Sequence, residues 1–171
     1  MIVADASALI ALAKMKKLRL LRALYDTVLT GPVVKAETMD AGKRISAPGV
    51  QEIEKGIDDG WIRVVRLSAK EKKLTQGILA KSRLDEGEAE VIALAGSRKL
   101  RVIIDDKEAR IFAELTGAQF LGTAAVLLQA FIKEQLTFTE LEDAVEHLSK
   151  TIWLSPAVVA EILRVAREAM K

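Results

Sequence analysis

Leu100-Arg101-Val102-Ile103-Ile104-Asp105-Asp106 is the stretch of sequence that decides the fold. Its first five residues form a compact run rich in β-branched side chains, which predicts a buried strand from Leu100 to Ile104. Helical patterns lie on both sides of this strand, over Glu86–Ser97 and Lys107–Leu115, and Gly117 suits the end of the second helix. A strand between two helices favours a parallel sheet, because parallel strands need long crossover connections.

The same alternation of strands and helices is predicted over most of the chain. Ile2–Ala4, Thr27–Thr30, Trp61–Leu67 and Gln119–Leu121 are the other predicted strands, and Pro32 is well placed to begin the helix that carries Glu37. Further helices are expected after Asp5, around Leu18–Leu24 and near residues 50–58, and then over Ala69–Ser82, Ala124–Lys133, Thr139–Leu148 and Pro156–Met170. Ala41–Gly49, with two glycines and a proline, is predicted as a loop. This order indicates an α/β domain with a mainly parallel sheet.

Composition limits the possible functions of the 171-residue chain. Half of the residues are apolar and only 4% are aromatic, which favours helices packed on a buried sheet. Cysteine is absent, so disulfides, thiolate metal sites and cysteine nucleophiles are excluded. The net charge of +2 gives weak support for a nucleic-acid partner, which would have to contact local basic clusters. With no signal peptide or membrane-spanning run, we expect a cytoplasmic protein without a membrane partner.

Acidic residues follow two of the predicted strands. Asp5 comes directly after Ile2–Ala4, and the Asp105-Asp106 pair follows Ile104. If these strands are neighbours, they lie about 4.8 Å apart, so their terminal carboxylates repel unless one is protonated or a cation lies between them. Mg²⁺ and Mn²⁺ take such oxygen ligands. Each aspartate also precedes a helix that it could cap, but a helix start needs only one cap, and the pair has two acids.

Two glutamates extend this acidic set. Glu88 shares a helical face with Val91, Ile92 and Ala95, so its carboxylate is expected to point toward the body of the domain. The alternative is a capping box between Asp85 and Glu88. Glu86 and Glu90 are expected on a more polar, solvated face. Glu37 follows Val33-Val34 and, taken alone, is expected to be a surface residue.

These segments together resemble the PIN-domain family, whose members are typically metal-dependent ribonucleases. The resemblance is carried by Ile2-Val-Ala-Asp5-Ala-Ser7-Ala-Leu-Ile, Pro32-Val-Val-Lys-Ala-Glu37, Glu88-Ala-Glu-Val-Ile-Ala-Leu-Ala and Val102-Ile-Ile-Asp105-Asp106. It extends to about residue 130 and implies a three-layer αβα fold with four to five strands. We therefore predict a PIN-like domain over residues 1–135 and a helical extension over 136–171, packed on the same domain. Leu84-x-x-Gly-Glu-Ala-Glu and Ile104-Asp-Asp-x-x-Ala-Arg are similar to an archaeal and bacterial branch related to VapC-type toxins.

The resemblance implies a role for each acid in the hydrolysis of RNA with Mg²⁺ or Mn²⁺. Asp5, Glu88 and Asp106 are the implied metal ligands, with Asp105 as an auxiliary acid or helix cap and Glu37 as an outer ligand or water-positioning group. Asp5, Glu37, Glu88 and Asp106 are thus the implied catalytic set. Asp106 is favoured over Asp105 as the main ligand because many relatives have Thr-x-Asp at this point. Lys14, Lys107 and Arg110 are candidates for contact with the RNA backbone.

Three further expectations concern activity and partners. Many relatives have Asp at the position of Glu88, so the alternative to a ribonuclease is a PIN-fold module that binds RNA or protein without catalysis. A VapC-type toxin would have an antitoxin protein as its partner. The late apolar residues either form a homodimer surface or, as we favour, close the core; they are Ile152, Trp153, Leu154, Val158, Val159, Ile162 and Leu163.

Overall fold

The computed structural model describes residues 1–45, 49–152 and 154–170. Five strands form one sheet in the order β3-β2-β1-β4-β5, and every neighbouring pair is parallel. The strands are β1 Ile2–Ala4, β2 Val28–Thr30, β3 Ile62–Val64, β4 Arg101–Ile103 and β5 Gln119–Leu121. Helices cover the sheet in a three-layer α/β arrangement, as the sequence predicted.

The helices occupy most of the remaining described residues. They are α1 Ala6–Lys14, α2 Arg19–Tyr25, α3 Pro32–Ile45, α4 Val50–Asp58, α5 Ala69–Leu79, α6 Glu86–Arg98, α7 Lys107–Leu115, α8 Thr123–Ile132, α9 Phe138–Thr151 and α10 Pro156–Ala169. All predicted helices are present, most with ends within three residues of the prediction. The left-handed Gly117 (φ +77°) follows α7 as expected, because only glycine adopts this conformation without a steric cost.

The central strands are buried on both faces, which explains their continuous apolar sequences. Ile2, Val3 and Ala4 of β1 are fully buried, as are Val102 and Ile103 of β4. Val3 lies opposite Val102 and Ala4 opposite Ile103, so β1 and β4 end side by side. Their aspartates therefore emerge at the same edge of the sheet.

Two predicted boundaries are wrong. The loop predicted over Ala41–Gly49 is helical as far as Ile45, because a single Gly42 costs a helix only about 1 kcal/mol and does not end it. Residues 46–48 lie outside the described part of the chain. The strand predicted from Trp61 to Leu67 is limited to Ile62–Val64, because its partner β2 ends at Thr30. Only the Val65 N–H continues the pairing, donating to the Thr30 carbonyl at 2.9 Å.

The last two helices pack on α8 and on each other. Leu141, Val145 and Leu148 of α9 are fully buried, and Ile162 is the most buried large side chain of α10. Among the late apolar residues, Ile152, Leu154 and Val159 pack partly buried against the core, whereas Val158 is 43% exposed. Trp153 lies outside the described residues. Within the described ranges, no helix is both long and apolar enough to cross a membrane.

Candidate active site at the carboxyl edge of the sheet

Asp5 is a buried carboxylate at the end of β1, with 3% of its surface exposed. It is also the N-cap of α1: the Ala8 N–H donates to Oδ1 at 2.8 Å, and the Ser7 hydroxyl donates to Oδ2 at 2.9 Å. The pKa of Asp5 is raised to about 7, mainly by burial and also by the charges of Asp105 and Glu88, while the hydrogen bonds from Ala8 and Ser7 act to lower it. Near neutral pH, this carboxyl group is therefore poised between its protonated and charged forms.

Glu88 forms the capping box considered as the alternative from the sequence, and its side chain is half-buried. Its partner in the box is Asp85: the Glu88 N–H donates to Asp85 Oδ1 at 2.7 Å, and the Asp85 N–H donates to Glu88 Oε2 at 3.2 Å. Its half-buried side chain also lies within electrostatic range of the other acids. The pKa of Glu88 is raised to about 7. Burial is the largest cause, the charge of Asp85 is the next, and the charges of Asp106 and Glu37 also raise it.

The two consecutive aspartates after β4 have different partners. Asp106 caps α7 by accepting the Ala109 N–H at 2.8 Å. Asp105 instead reaches the start of α8, where Oδ1 accepts the Thr123 N–H at 2.9 Å and Oδ2 accepts the Thr123 hydroxyl at 2.6 Å. Arg110 lies 3.7 Å from Asp105 Oδ1. Each aspartate thus holds a different helix, which explains in structural terms why the sequence has two.

Glu37 projects from α3 toward the start of α6. The Gly87 N–H donates to it, and a Cβ atom on Gly87 would lie 2.5 Å from Glu37 Oε2. Gly87 is therefore required for this close approach, because any side chain at residue 87 would collide with the Glu37 carboxylate. The pKa of Glu37 is raised to about 6, mainly by burial and then by the charges of Asp85 and Glu90. The predicted surface glutamate is in fact half-buried beside the other acids.

Glu90 contradicts the sequence prediction that it lies on a solvated face. It is 4% exposed, and its Oε2 accepts the Val33 N–H at the start of α3 at 3.1 Å. The space for this carboxylate exists because residue 31 is glycine: a Cβ atom there would lie 1.9 Å from Glu90 Oε2. Burial raises the pKa of Glu90, and its hydrogen bonds to Val33 and Val34 oppose that shift. In the sequence, Gly31-Pro32 is the feature that could have indicated this contact. A helix that begins after glycine has no N-cap side chain of its own, so another residue has to accept its first N–H groups.

Comparison with known proteins then decides the family. A family model described as a PIN domain matches residues 1–168. The chain belongs to the PIN-domain family. The sequences of curated proteins and the solved structures gave no match. The family match extends beyond residue 130, where the motif resemblance ended, and includes α9 and most of α10. The division at residue 135 remains a prediction.

PIN domains are generally nucleases and typically use divalent metals. The oxygen-only donors at this edge of the sheet suit Mg²⁺ or Mn²⁺, and the raised pKa values indicate carboxylates whose charges a cation would stabilise. Within the described residues, however, no three acidic or histidine side chains are grouped closely enough to hold one ion. Mg²⁺ usually keeps several waters and binds proteins through about one or two carboxylates, so any ion held by these acids would be a hydrated one.

The three basic residues considered for RNA contact differ in their surroundings. Lys14 ends α1 and Lys107 begins α7, and both are exposed. Arg110 already has protein partners: its Nε donates to the Ile104 carbonyl at 3.1 Å, and its guanidinium stacks over Phe120. In this PIN domain Arg110 thus stabilises the end of β4 and balances the charge of Asp105.

Proposed function

We propose that this PIN domain is an Mg²⁺- or Mn²⁺-dependent endoribonuclease that hydrolyses phosphodiester bonds in single-stranded or structured RNA. One observation carries the proposal: Asp5 is buried at the sheet edge, and the charges of Asp105 and Glu88 both raise its pKa. A buried carboxylate with other acids close to it is costly for a fold and is common where a protein binds a cation or transfers protons.

Asp5, Glu88 and Asp106 would hold the ion, directly or through water, with Asp105 as an auxiliary acid. When bound, the ion lowers the pKa of a coordinated water and stabilises charge on the phosphate oxygens. The chain's own residues orient this set: Ser7 and Ala8 fix the Asp5 carboxylate, and Thr123 fixes Asp105. Glu37, with a pKa of about 6, would accept a proton or position the attacking water near neutral pH.

Exposed cations on the helices that the acids cap would contact the RNA backbone. Lys107 directly follows Asp106, whereas Lys14 is the last residue of α1, about 13 Å along the helix from Asp5. Phosphate contacts of this type position a nucleic acid without reading its sequence. Arg110 would contribute mainly through Asp105, because its guanidinium is already engaged.

We further propose that the chain belongs to the VapC-type branch, found in archaea and bacteria, and acts as the toxin of a toxin–antitoxin pair in the cytoplasm. The motifs from Leu84 to Glu90 and from Ile104 to Arg110 support this assignment. The partners would then be RNA, a small antitoxin protein and a second copy of the chain. Co-purification with the product of an adjacent reading frame, and the mass of the purified protein in solution, test these partners separately.

The alternative is a PIN-fold module that binds RNA or protein without cleaving RNA. One observation favours it: in the described part of the chain, no three acids form a ready metal site. The carboxylates of Asp5, Glu88 and Asp106 are also each engaged at a helix start. A scaffold role would need these caps and no metal.

Cleavage of a mixed single-stranded RNA pool with Mn²⁺ separates the two functions. We expect the wild type to cleave with Mn²⁺ and to be inactive in EDTA, and Asp5→Asn to be inactive while remaining folded by circular dichroism. The matched control is Asp143→Asn, the same chemical change at an exposed residue of α9, which should cleave like the wild type. A wild type without activity on this pool, or an active Asp5→Asn variant, would contradict the proposal.

A further inference from the structure

A cavity lies where the first residues of α3 and α6 meet α5. It has a volume of about 350 Å³ and lies between the start of α3, the segment after β3, and the facing sides of α5 and α6. Pockets that bind small ligands have volumes of about 300–1,000 Å³, so this one has room for a nucleotide-sized group. We refer to it as the α5–α6 pocket.

The α5–α6 pocket lies close to Glu37 of the candidate active site: Glu86 lines the pocket, and a Cβ atom added to the next residue, Gly87, would lie 2.5 Å from Glu37 Oε2. Pro32 lines the pocket and begins α3, which carries Glu37. Glu86 lines the pocket and begins α6, which carries Glu88 two residues later. We therefore expect an RNA strand that is bound beside Glu37 to have a neighbouring nucleotide near the pocket.

The lining combines three kinds of group. Pro32, Leu67 and Leu79 supply apolar surface, against which a flat base can pack. Arg66 and Lys72 are exposed cations at the same pocket, and neither is part of an ion pair in the described residues. They are therefore available to a phosphate group.

The remaining polar groups indicate which bases would fit. Glu90 already accepts the Val33 N–H at the start of α3. Glu86 is exposed and lines the pocket together with Gln76 of α5. An ionised carboxylate only accepts hydrogen bonds, so Glu86 favours a base that donates through an exocyclic amino group. Both purines and cytosine have such a group; of the two pyrimidines, cytosine has it and uracil presents a carbonyl oxygen at the same ring position.

We propose that the α5–α6 pocket binds one nucleotide of the RNA, next to the phosphodiester bond that is cut, and prefers cytidine over uridine; this rests on the proposed ribonuclease function. The phosphate contacts Arg66 and Lys72, the base packs against Leu67 and Leu79, and its amino group donates to Glu86. The pocket thereby sets a base preference that the acidic site itself does not provide.

The test is a binding measurement in EDTA, which does not depend on cleavage. Wild-type protein labelled with ¹⁵N is titrated with CMP and with UMP, and amide shifts are followed by NMR. We expect saturable shifts centred on Thr75 and Leu79, with CMP bound more tightly than UMP. A short RNA of cytidines should compete with CMP at the same amides.

Four variants locate the binding. Leu79→Trp fills the pocket and should abolish the shifts, and the control Leu115→Trp, on a side chain that is 75% exposed on α7, should bind like the wild type. Lys72→Ala should weaken CMP up to about fivefold, the loss expected for one exposed charge contact. Its control, Lys73→Ala, changes an exposed lysine of the same helix that does not line the pocket.

Glu86→Gln tests the base preference, because an amide also donates hydrogen bonds and should bring the affinities for CMP and UMP together. Shifts spread over basic surfaces, equal binding of the two nucleotides by the wild type, or a cytidine RNA that fails to compete would each overturn the proposal. Since no metal is present, these failures are distinct from a failure of the ribonuclease proposal: cleavage with no CMP binding would overturn the pocket alone.

Discussion

The contact between Gly31 and Glu90 yields the most specific prediction about stability. A Cβ atom on Gly31 would lie 1.9 Å from Oε2 of Glu90, 2.0 Å from Cδ and 2.7 Å from Cγ. Gly31→Ala therefore forces the carboxylate to leave its place. Because Glu90 also lines the α5–α6 pocket, the side chain has somewhere to move, and the fold should survive.

The cost follows from the hydrogen bond that is lost. Displaced Glu90 no longer accepts the Val33 N–H, which removes the cap of α3. Loss of a helix cap costs about 0.5–2 kcal/mol, so we expect Gly31→Ala to lower the free energy of unfolding by about 1–2 kcal/mol. Gly31 does not have a positive φ, so alanine adds no backbone strain at this position.

A double-mutant cycle separates this mechanism from a general intolerance of residue 31. In the Glu90→Ala background the clash is absent, and Gly31→Ala should be neutral or stabilise by about 0.4–1 kcal/mol through the entropy of the unfolded chain. The expected coupling between the two changes is thus about 2 kcal/mol in urea unfolding. The same cost in both backgrounds would refute the reasoning.

Three further changes test the acids and the packing of α6. The pKa of Asp5 is 3.8 in the unfolded chain and about 7 in the folded protein, mainly because the group is buried. Between about pH 4 and 7 the unfolded chain therefore loses this proton while the folded protein keeps it, and the metal-free protein should become less stable as the pH rises. Asp5→Asn should flatten that pH dependence in urea unfolding, and equal slopes for both proteins would contradict the burial argument. Gly87→Ala places a Cβ atom 2.5 Å from Glu37 Oε2, so it should weaken Mn²⁺ binding severalfold in a calorimetric titration. The same change should stabilise α6 by up to about 1 kcal/mol, because alanine favours a helix more than glycine does. Unchanged Mn²⁺ affinity would show that Glu37 is not part of the metal site. Arg98→Ala leaves the buried Glu71, which is 3% exposed, without the cation that lowers its pKa. We expect the free energy of unfolding to fall by about 1–3 kcal/mol in chemical unfolding. A loss below about 0.5 kcal/mol would show that this ion pair does not stabilise the fold.

The sequence predicted the features that depend on local patterns. The β-branched run before Asp105, the proline that begins α3 and the capping box at Asp85 each specify structure within a few residues. The sequence did not predict that β1 and β4 are neighbours: it gave only the consequence of that pairing, which the structure shows. Asp5, Glu88 and the two aspartates after β4 were named from the sequence as candidates, and the pairing brings Asp5 and Asp105 to the same edge of the sheet.

The features that the sequence missed depend on distant partners. Glu90 is buried because the Val33 N–H, 57 residues away, needs an acceptor and because Gly31 leaves room for it. The separate roles of Asp105 and Asp106 depend on Thr123, which begins a helix 18 residues after Asp105. The early end of β3 is likewise set by its partner β2 and not by its own apolar residues. No periodicity within one segment carries this information.

Binding of Mn²⁺, followed by electron paramagnetic resonance, tests the central claim most directly, because it asks whether the acids at the sheet edge hold a metal at all. The wild type and the control Asp143→Asn should bind Mn²⁺ with the same affinity near pH 7.5, and Asp5→Asn should bind it at least about tenfold more weakly, a change of about 1.4 kcal/mol. A wild type that does not bind Mn²⁺, or an Asp5→Asn variant that binds it equally well, would contradict the account and favour a non-catalytic PIN module.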